Sequence, residues 1–262
     1  MYPFNNQWTF FLYVAKVCFF KSKDKFDSML QVPTYGVIGS GKMAKHFIRY
    51  LTLLNLPTLI WSRRSGRDLD DVLEKTSHLL VLISDDAIDS FIRTQLKLYP
   101  GVIIHFSGCL QSKLAFSAHP FMSFSSTLYE LDFYQKIPFH LEKSGPVFEA
   151  LLPGLSNPHQ YIDRALKPYY HALCVIMNNF TTILWKEALA GFEGKLGLAR
   201  ESVMLYVEQT AKSMINSPNL PLTGPLVRGD HASIVKNLSA LEGDCLQQVY
   251  QVFSDCFTQS KE

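Results

Sequence analysis

The sequence predicts an α/β protein, a doubly wound parallel Rossmann sheet followed by a smaller all-α carboxy-terminal domain. Three observations carry this reading. Short apolar runs alternate with helical segments between Thr34 and Phe106, and they lack the polar alternation of a half-exposed strand, as strands covered on both faces do. A Gly-x-Gly-x-x-Ala turn joins the first run to the first helix. From about Leu166 onward the apolar residues recur at helical spacing instead.

The elements follow in order. Tyr35-Gly36-Val37-Ile38-Gly39 is a buried strand ending in glycine, and Lys42 to Leu54 is a helix with Met43, Phe47, Leu51 and Leu54 on one face. Pro57 restarts the chain, and Leu59-Ile60-Trp61 is a second strand. A short helix spans Asp68 to Lys75, a third strand His78 to Ile83, a helix Asp86 to Leu98, and a fourth strand Val102 to Phe106, stopped by Ser107-Gly108. Beyond Pro120 the pattern weakens: Ile137 to Leu141 reads as a late strand and Pro146 to Leu152 as a helix. Pro153-Gly154 and Asn157-Pro158 place a domain junction there. Segments 167–190, 198–215 and 230–258 read as helical, and Asn216 to Gly229, with three prolines and two glycines, as a loop. This divides the chain into an extension (1–31), a dinucleotide-binding domain (32–160) and a helical substrate and dimerisation domain (161–262).

Composition narrows the function. At a prior of roughly 150 residues per domain, 262 residues allow two modest domains, and 47% hydrophobic residues exclude a mostly disordered chain. Twenty-five basic against 23 acidic residues leave a formal charge of +2, which offers no electrostatic footprint for nucleic acid. The five cysteines, Cys18, Cys109, Cys174, Cys245 and Cys256, form no C-x-x-C pair, so neither a zinc site nor a disulfide framework is expected, and a cytoplasmic protein with reduced thiols and no metal is. The apolar run Trp8 to Phe20 is too short to span a bilayer and lacks the preceding basic residues of a secretory signal. No stable membrane insertion is expected. The working protein is expected to begin at Met29, and a chain starting there to fold as well as the full one.

The glycine turn carries the chemistry. Gly39 permits the tight turn, Gly41 lets backbone approach a pyrophosphate, and Ala44 keeps helix and strand close. With Ser40, Lys42 and Met43, these residues place free N–H groups and the positive end of the helix dipole at a phosphate. After the second strand stand Ser62-Arg63-Arg64, with no carboxylate before Asp68. An acid there would bind the ribose of NAD; Arg63, assisted by Ser62 and Arg64, suits the 2′-phosphate of NADP, with NAD as the lesser possibility. A solvated basic turn is the plainer reading of the same residues. Strand ends of open α/β sheets face the ligand, which brings in Ser84, Asp85, Ser107 and Gly108. Asp85 and Asp86 are equally placed to cap the following helix, and Ser107-Gly108 to let a nicotinamide sit close to backbone.

These motifs, with Ser84-Asp85-Asp86-Ala87-Ile88, His105-Phe106-Ser107-Gly108, His119-Pro120-Phe121, Tyr170-His171-Ala172, Asn178-Asn179 and Thr223-Gly224-Pro225-Leu226-Val227-Arg228-Gly229-Asp230, occur in a telling order. The chain resembles, over about residues 33 to 258, the Rossmann-like proteins with a helical carboxy-terminal domain of unknown function. These belong to the 6-phosphogluconate-dehydrogenase-like superfamily, near pyrroline-5-carboxylate and ketopantoate reductases. The resemblance implies an NAD(P)-binding oxidoreductase, often dimeric through its helical domain, and no particular small-molecule substrate. Hydroxyacid dehydrogenases of the superfamily use a lysine on the first long helix of the second domain. The nearest counterpart here is His171, with Lys167 one turn earlier, so that scheme does not transfer intact.

Two functions compete: an NADP-dependent reductase of a small carbonyl or imine, and a nucleotide-binding regulatory or scaffold protein without chemistry. Fold alone does not separate them. The first is favoured by polar groups expected at the domain junction. His171 is the candidate proton donor, since histidine titrates near neutral pH, and His119 is its rival. Asn178 orients substrate, while Arg228, with Thr223 and Asp230, binds a substrate carboxylate. If one helix holds Lys167, His171, Cys174 and Asn178, their spacing makes a single stripe. His171 holding a backbone carbonyl is the alternative for that residue.

Overall fold

Alternate residues of short, wholly apolar strands feed two separate cores, and this is what a sheet covered on both faces requires. The structure, a computed structural model, describes residues 32–217 and 223–259. The amino-terminal extension, with its apolar run and Met29, lies outside the described residues. In strand β1 (Tyr35–Ile38) every residue is buried. Tyr35 and Val37 join one core with Leu80, Ile104, Phe106 and the helix residues Phe47 and Leu51. Ile38 joins the other with Leu79, Val81, Ile103, Ile88 and Ile92.

The elements run β1, α1 (Lys42–Leu53), β2 (Thr58–Trp61), α2 (Leu69–Lys75), β3 (His78–Val81), α3 (Asp85–Gln95), β4 (Val102–His105), β5 (Phe116–Pro120), α4 (Leu131–Lys136), β6 (Phe139–Glu142), α5 (Phe148–Leu151) and β7 (His159–Ile162). One seven-stranded sheet has the order β2-β1-β3-β4-β5-β6-β7. Strands β1 to β5 are mutually parallel; β6 runs antiparallel to β5, and β7 parallel to β6. The strand order reverses between β1 and β3, where an open α/β sheet has its ligand crevice.

Strands β5 and β7 are absent from the sequence reading because neither is an apolar run: β5 alternates Ser117 and His119 with apolar residues, and no residue of β7 is buried. Ser117 and His119 of β5 are engaged by Lys167 and Tyr170. His159 of β7 stacks on Phe148 with ring centroids 4.5 Å apart. The proline-rich stretch after α5 is bound to the sheet domain: buried Asn157 donates to Tyr134 O (2.7 Å) and Ile137 O (2.9 Å) and accepts from Tyr50 Oη (2.7 Å), and Tyr35 Oη donates to Pro153 O.

The remaining elements are a 3-10 turn (Arg164–Leu166), α6 (Lys167–Cys174), a π-helical segment (Val175–Phe180), α7 (Thr181–Gly194), α8 (Arg200–Asn216), α9 (Pro225–Arg228), α10 (His231–Ala240) and α11 (Cys245–Gln259). The chain divides into two compact units, Met1–His171 and Ala172–Glu262. In the second, the segment expected as one helix over 230–258 is two, broken where Gly243 takes a φ of +77°. Among the described residues no helix is long and apolar enough to cross a membrane, and Cys109, Cys174, Cys245 and Cys256 are free thiols.

The helical unit has almost no interior. Of its described apolar residues only Val203 is buried. Leu173, Met177, Phe180, Tyr206, Met214, Ile215, Val252 and Phe253 are all exposed.

Candidate functional site

At the end of β1 the chain turns under a tight constraint. Gly39 has a φ of +136°, and a Cβ there would stand 2.2 Å from the carbonyl oxygen of Leu82. Gly39 N donates to Trp61 O (2.9 Å) and Leu82 N to Ile38 O (2.8 Å), so the ends of β2, β1 and β3 are drawn together at this point. Gly41 differs: beyond its own chain neighbours, no atom of the described residues lies within 4 Å of where its Cβ would be. Helix α1 begins directly after it, with no side-chain cap and no acid in its first turn. Its first N–H groups therefore have no intrahelical acceptor. Ala44 is fully buried.

A cleft of about 1050 Å³ opens over this turn. Gly39, Ser40, Gly41, Lys42 and Met43 line it together with Ser62, Arg63, Arg64, Ser84 and the rings of Trp61 and Phe91. The Ser62 turn is held by its own bonds, Ser65 N to Ser62 O at 2.9 Å and Ser62 N to Ser65 Oγ at 3.2 Å. Arg63 and Arg64 are exposed, and no ion pair among the described residues involves either.

Ser84 is the N-cap residue of α3 and makes no side-chain cap bond. Asp85 and Asp86 stand in the first turn, so neither is the cap. The Asp85 carboxylate accepts the hydroxyl of Ser107, across from β3 to β4. Ser107 Oγ in turn accepts the N–H of Leu110 (2.9 Å). Asp86 lines an adjoining cleft with Arg63, Trp61 and Phe91.

Beside Ser107 the same sheet edge carries a histidine cluster, all of it within the first unit. A Cβ on Gly108 would stand 2.7 Å from His171 Cδ2 and 3.1 Å from His119 Nε2. Packing against these two rings therefore accounts for the glycine without a ligand. His119 and His171 stack edge to face with centroids 6.2 Å apart. His119 Nδ1 lies 2.7 Å from Tyr170 Oη, and His140 Nδ1 lies 2.8 Å from the same oxygen. The β5–β6 register sets His119 directly opposite His140. Burial, reinforced by His171, His140 and Lys167, pushes His119 down to about 3, and burial also lowers His140.

Lys167 has a structural task. It is buried, and its ammonium donates to Leu110 O (2.5 Å), Ser117 Oγ (2.7 Å) and Glu142 Oε1 (3.0 Å), which uses all three hydrogens. Arg164 also faces Glu142, at 3.6 Å, and donates to Ser112 O (2.6 Å). Together they fasten the 109–112 loop. The stripe expected from Lys167 to Asn178 is broken twice: Lys167 is spent inside the sheet domain, and the helix changes from α to π at Val175, where the repeat lengthens. Asn178 lies in the second unit, where its exposed amide donates to Asn179 Oδ1 (3.3 Å). His171 makes no hydrogen bond to a backbone carbonyl among the described residues.

The Thr223–Asp230 segment is helix punctuation. Gly224 (φ +107°) precedes Pro225 at the start of α9, Gly229 (φ +66°) ends that helix, and Asp230 caps α10 by accepting from Ser233 N (3.0 Å) and Ser233 Oγ (2.7 Å). The Ser233 bonds hold Asp230 below the usual carboxylate range. Thr223 and Arg228 are exposed. The sequence reading missed His140 as a site residue and Tyr170 as a bridging one. Tyr170 stood in a motif, whereas His140 becomes visible only once β6 is paired with β5.

Among the described residues no group of histidine, cysteine, aspartate and glutamate is arranged to hold a metal ion. Known structures place the fold. A protein of Bacteroides fragilis described as an NADP oxidoreductase matches with a TM-score of 0.68 at 19% identity, over 87% of this chain and 98% of that one. A protein from Thermotoga maritima matches at 0.62 and 20%, over 86% and 97%. A reductive aminase from Aspergillus terreus, in complex with NADPH4, cyclohexanone and allyl amine, matches at 0.58 and 12%, over 88% and 94%. No curated protein matches by sequence. The fold is thus one that this chain shares with these proteins. Within it, residues 140–256 match the family described as Domain of unknown function (DUF2520).

The buried histidines make the sheet domain acid-sensitive. His105 is fully buried; its Nδ1 accepts the Ser107 N–H (3.2 Å), and its Nε2 has no partner. Burial first, then the charges of Lys167, Arg164 and His119, hold it at about 3 against an ordinary value of 6.5. Between these two values the unfolded chain binds the proton and the folded chain does not, so stability is full above 6.5 and is lost as pH falls toward 3. Each such group steepens the loss by at most about 1.4 kcal/mol per pH unit. Denaturant titrations from pH 7 to 4 are expected to show this slope, and His105→Phe to reduce it.

Proposed function

We propose that the chain is an NADP-dependent reductase of a small carbonyl or imine and that it works as a homodimer. The observation that carries the nucleotide assignment is the open space over Gly41 above the uncapped start of α1. Protein packing gives no reason for a glycine there, whereas a pyrophosphate resting on free backbone N–H groups does. Gly39 to Met43 hold the pyrophosphate, and Ser62, Arg63 and Arg64 surround the 2′-phosphate, Arg63 pairing with its oxygens. When bound, the reduced cofactor supplies the hydride. The chain supplies the proton, at the histidines flanking Gly108. The reductive aminase complex with cyclohexanone and allyl amine supports carbonyl and imine chemistry as the class.

The exposed apolar faces of the helical unit support the dimer. Apolar surface of this extent on a chain this size marks a protein interface, and a second copy offers the matching faces by symmetry. Light scattering at micromolar concentration is expected to give twice the chain mass; a monomer would refute the pairing.

The nucleotide reading is tested by titrating NADPH and NADH into the wild-type protein and Arg63→Ala. Loss of a charge-assisted bond should weaken NADPH by about 1.5–3 kcal/mol, roughly 10- to 150-fold, and leave NADH nearly unchanged. Equal losses for both dinucleotides would refute the 2′-phosphate contact. Thermal shifts with small keto acids and cyclic imines added on top of NADPH then test the reductase reading.

A further inference from the structure

Three carboxylates stand on the first half of α3, and two of them are engaged. Asp85 accepts the hydroxyl of Ser107, and Asp89 that of Ser112 (2.6 Å). The third, Asp86, is exposed in the first turn, and no side-chain hydrogen bond or ion pair among the described residues involves it. One turn further on, the exposed hydroxyl of Ser90 is likewise unbonded among the described residues. Residues four apart are neighbours on one helix face, and both line the cleft of about 590 Å³ that adjoins the glycine turn.

The wall of this cleft is aromatic. Trp61 and Phe91 pack on each other with ring centroids 5.7 Å apart and planes at 38°. That spacing leaves no gap for a third ring between them, so they form one continuous apolar wall, with Ala87 beside it. The same three residues and Arg63 line the larger cleft over Gly41, so the two spaces share a boundary at Arg63. The inference rests on the nucleotide reading, which sets the 2′-phosphate at Arg63. Covalent geometry then places the base, because the 2′-phosphate and the base sit on adjacent carbons of one ribose. The base enters the smaller cleft, with the aromatic wall for its flat face and Asp86 and Ser90 for its polar edge.

We propose that Asp86 and Ser90 read the base of the dinucleotide and select adenine against 6-oxopurines. Adenine shows an amino donor at N6 beside an acceptor at N7, where guanine shows two acceptors, O6 and N7. An ionised carboxylate only accepts, so Asp86 takes an N6 hydrogen, while the Ser90 hydroxyl donates to the adjacent ring nitrogen. An oxygen in place of the amino group sets a lone pair against the carboxylate and leaves Asp86 without its bond. The wrong base is therefore both repelled and unrewarded. Trp61 and Phe91 accept any base, since every base has an apolar face. The glycine turn and Arg63 hold phosphates and carry no information about the base, which leaves that choice to Asp86 and Ser90.

Calorimetric titration of the full chain with NADPH and with its hypoxanthine analogue, in which an oxygen replaces the 6-amino group, tests this. The wild-type protein is expected to bind NADPH about tenfold more tightly or better, the worth of one hydrogen bond to a charged group. Asp86→Asn should bring the two affinities together, because a carboxamide donates as well as accepts. Equal affinities in the wild-type protein would overturn the proposal and leave the nucleotide reading standing; a preference that survives in Asp86→Asn would overturn it too. A wild-type protein that binds neither dinucleotide would sink the nucleotide reading and this proposal with it. Should Asp86→Asn fail to fold, Asp86→Ser, whose side chain suits a helix start, decides by the same ratio. Arg63→Ala is the control: it should weaken both dinucleotides alike and keep the preference. A preference lost there as well would place the discrimination at Arg63 and overturn the assignment to Asp86.

Discussion

The approach of Gly39 to the Leu82 carbonyl is the contact on which the proposed nucleotide site depends. At 2.2 Å from that oxygen no side-chain carbon fits, so the ends of β1 and β3 close together only over a glycine. That closure starts α1 at the reversal of strand order, with its first N–H groups, which have no intrahelical acceptor, facing the crevice. Gly41, two residues on, stands in the opposite setting: apart from its chain neighbours, no described residue fills the space beside it. One glycine is fixed by the fold and the other by what the fold leaves open.

The neighbouring sheet edge is built on polar groups that satisfy one another. Asp85 holds Ser107, Ser107 receives Leu110, and Lys167 with Glu142 and Arg164 fastens the loop between them. This scaffold fixes the backbone at Gly108 against His119 and His171. A buried lysine with every hydrogen used is a poor acid. Breaking its pair would leave a buried, uncompensated charge, a change of large cost.

The nucleotide half was legible in the sequence where hydropathy and glycine spacing agree. Strands β1 to β4 and helices α1 to α3 are readable from apolar runs, and those ending at Gly39, Ser62 and Ser84 point to part of the cleft lining, while Trp61 and Phe91 are not singled out by the sequence. Legibility ends at β5, where buried Ser117 and half-buried His119 are hydrogen-bonded, so its composition resembles a loop. The same cause hid His140. The stripe through His171 relied on a uniform α-helix, and a π-helical segment from Val175 to Phe180 cannot be told from spacing. The Thr223–Asp230 segment stands out in the sequence, and in the structure its glycines, proline and aspartate mark two helix boundaries. The helical unit's apolar faces were read as a stripe pattern; that they stay uncovered within one chain is a property of packing, which periodicity does not express.

The central claim is that a dinucleotide phosphate fills the space over Gly41, and one variant isolates it. In Gly41→Val the new Cβ enters open space among the described residues, so the melting temperature should match that of the wild-type protein, while NADPH binding followed by calorimetric titration should fall at least 100-fold. A variant that stays folded and binds NADPH with wild-type affinity would contradict the account, because the space would then belong to nothing.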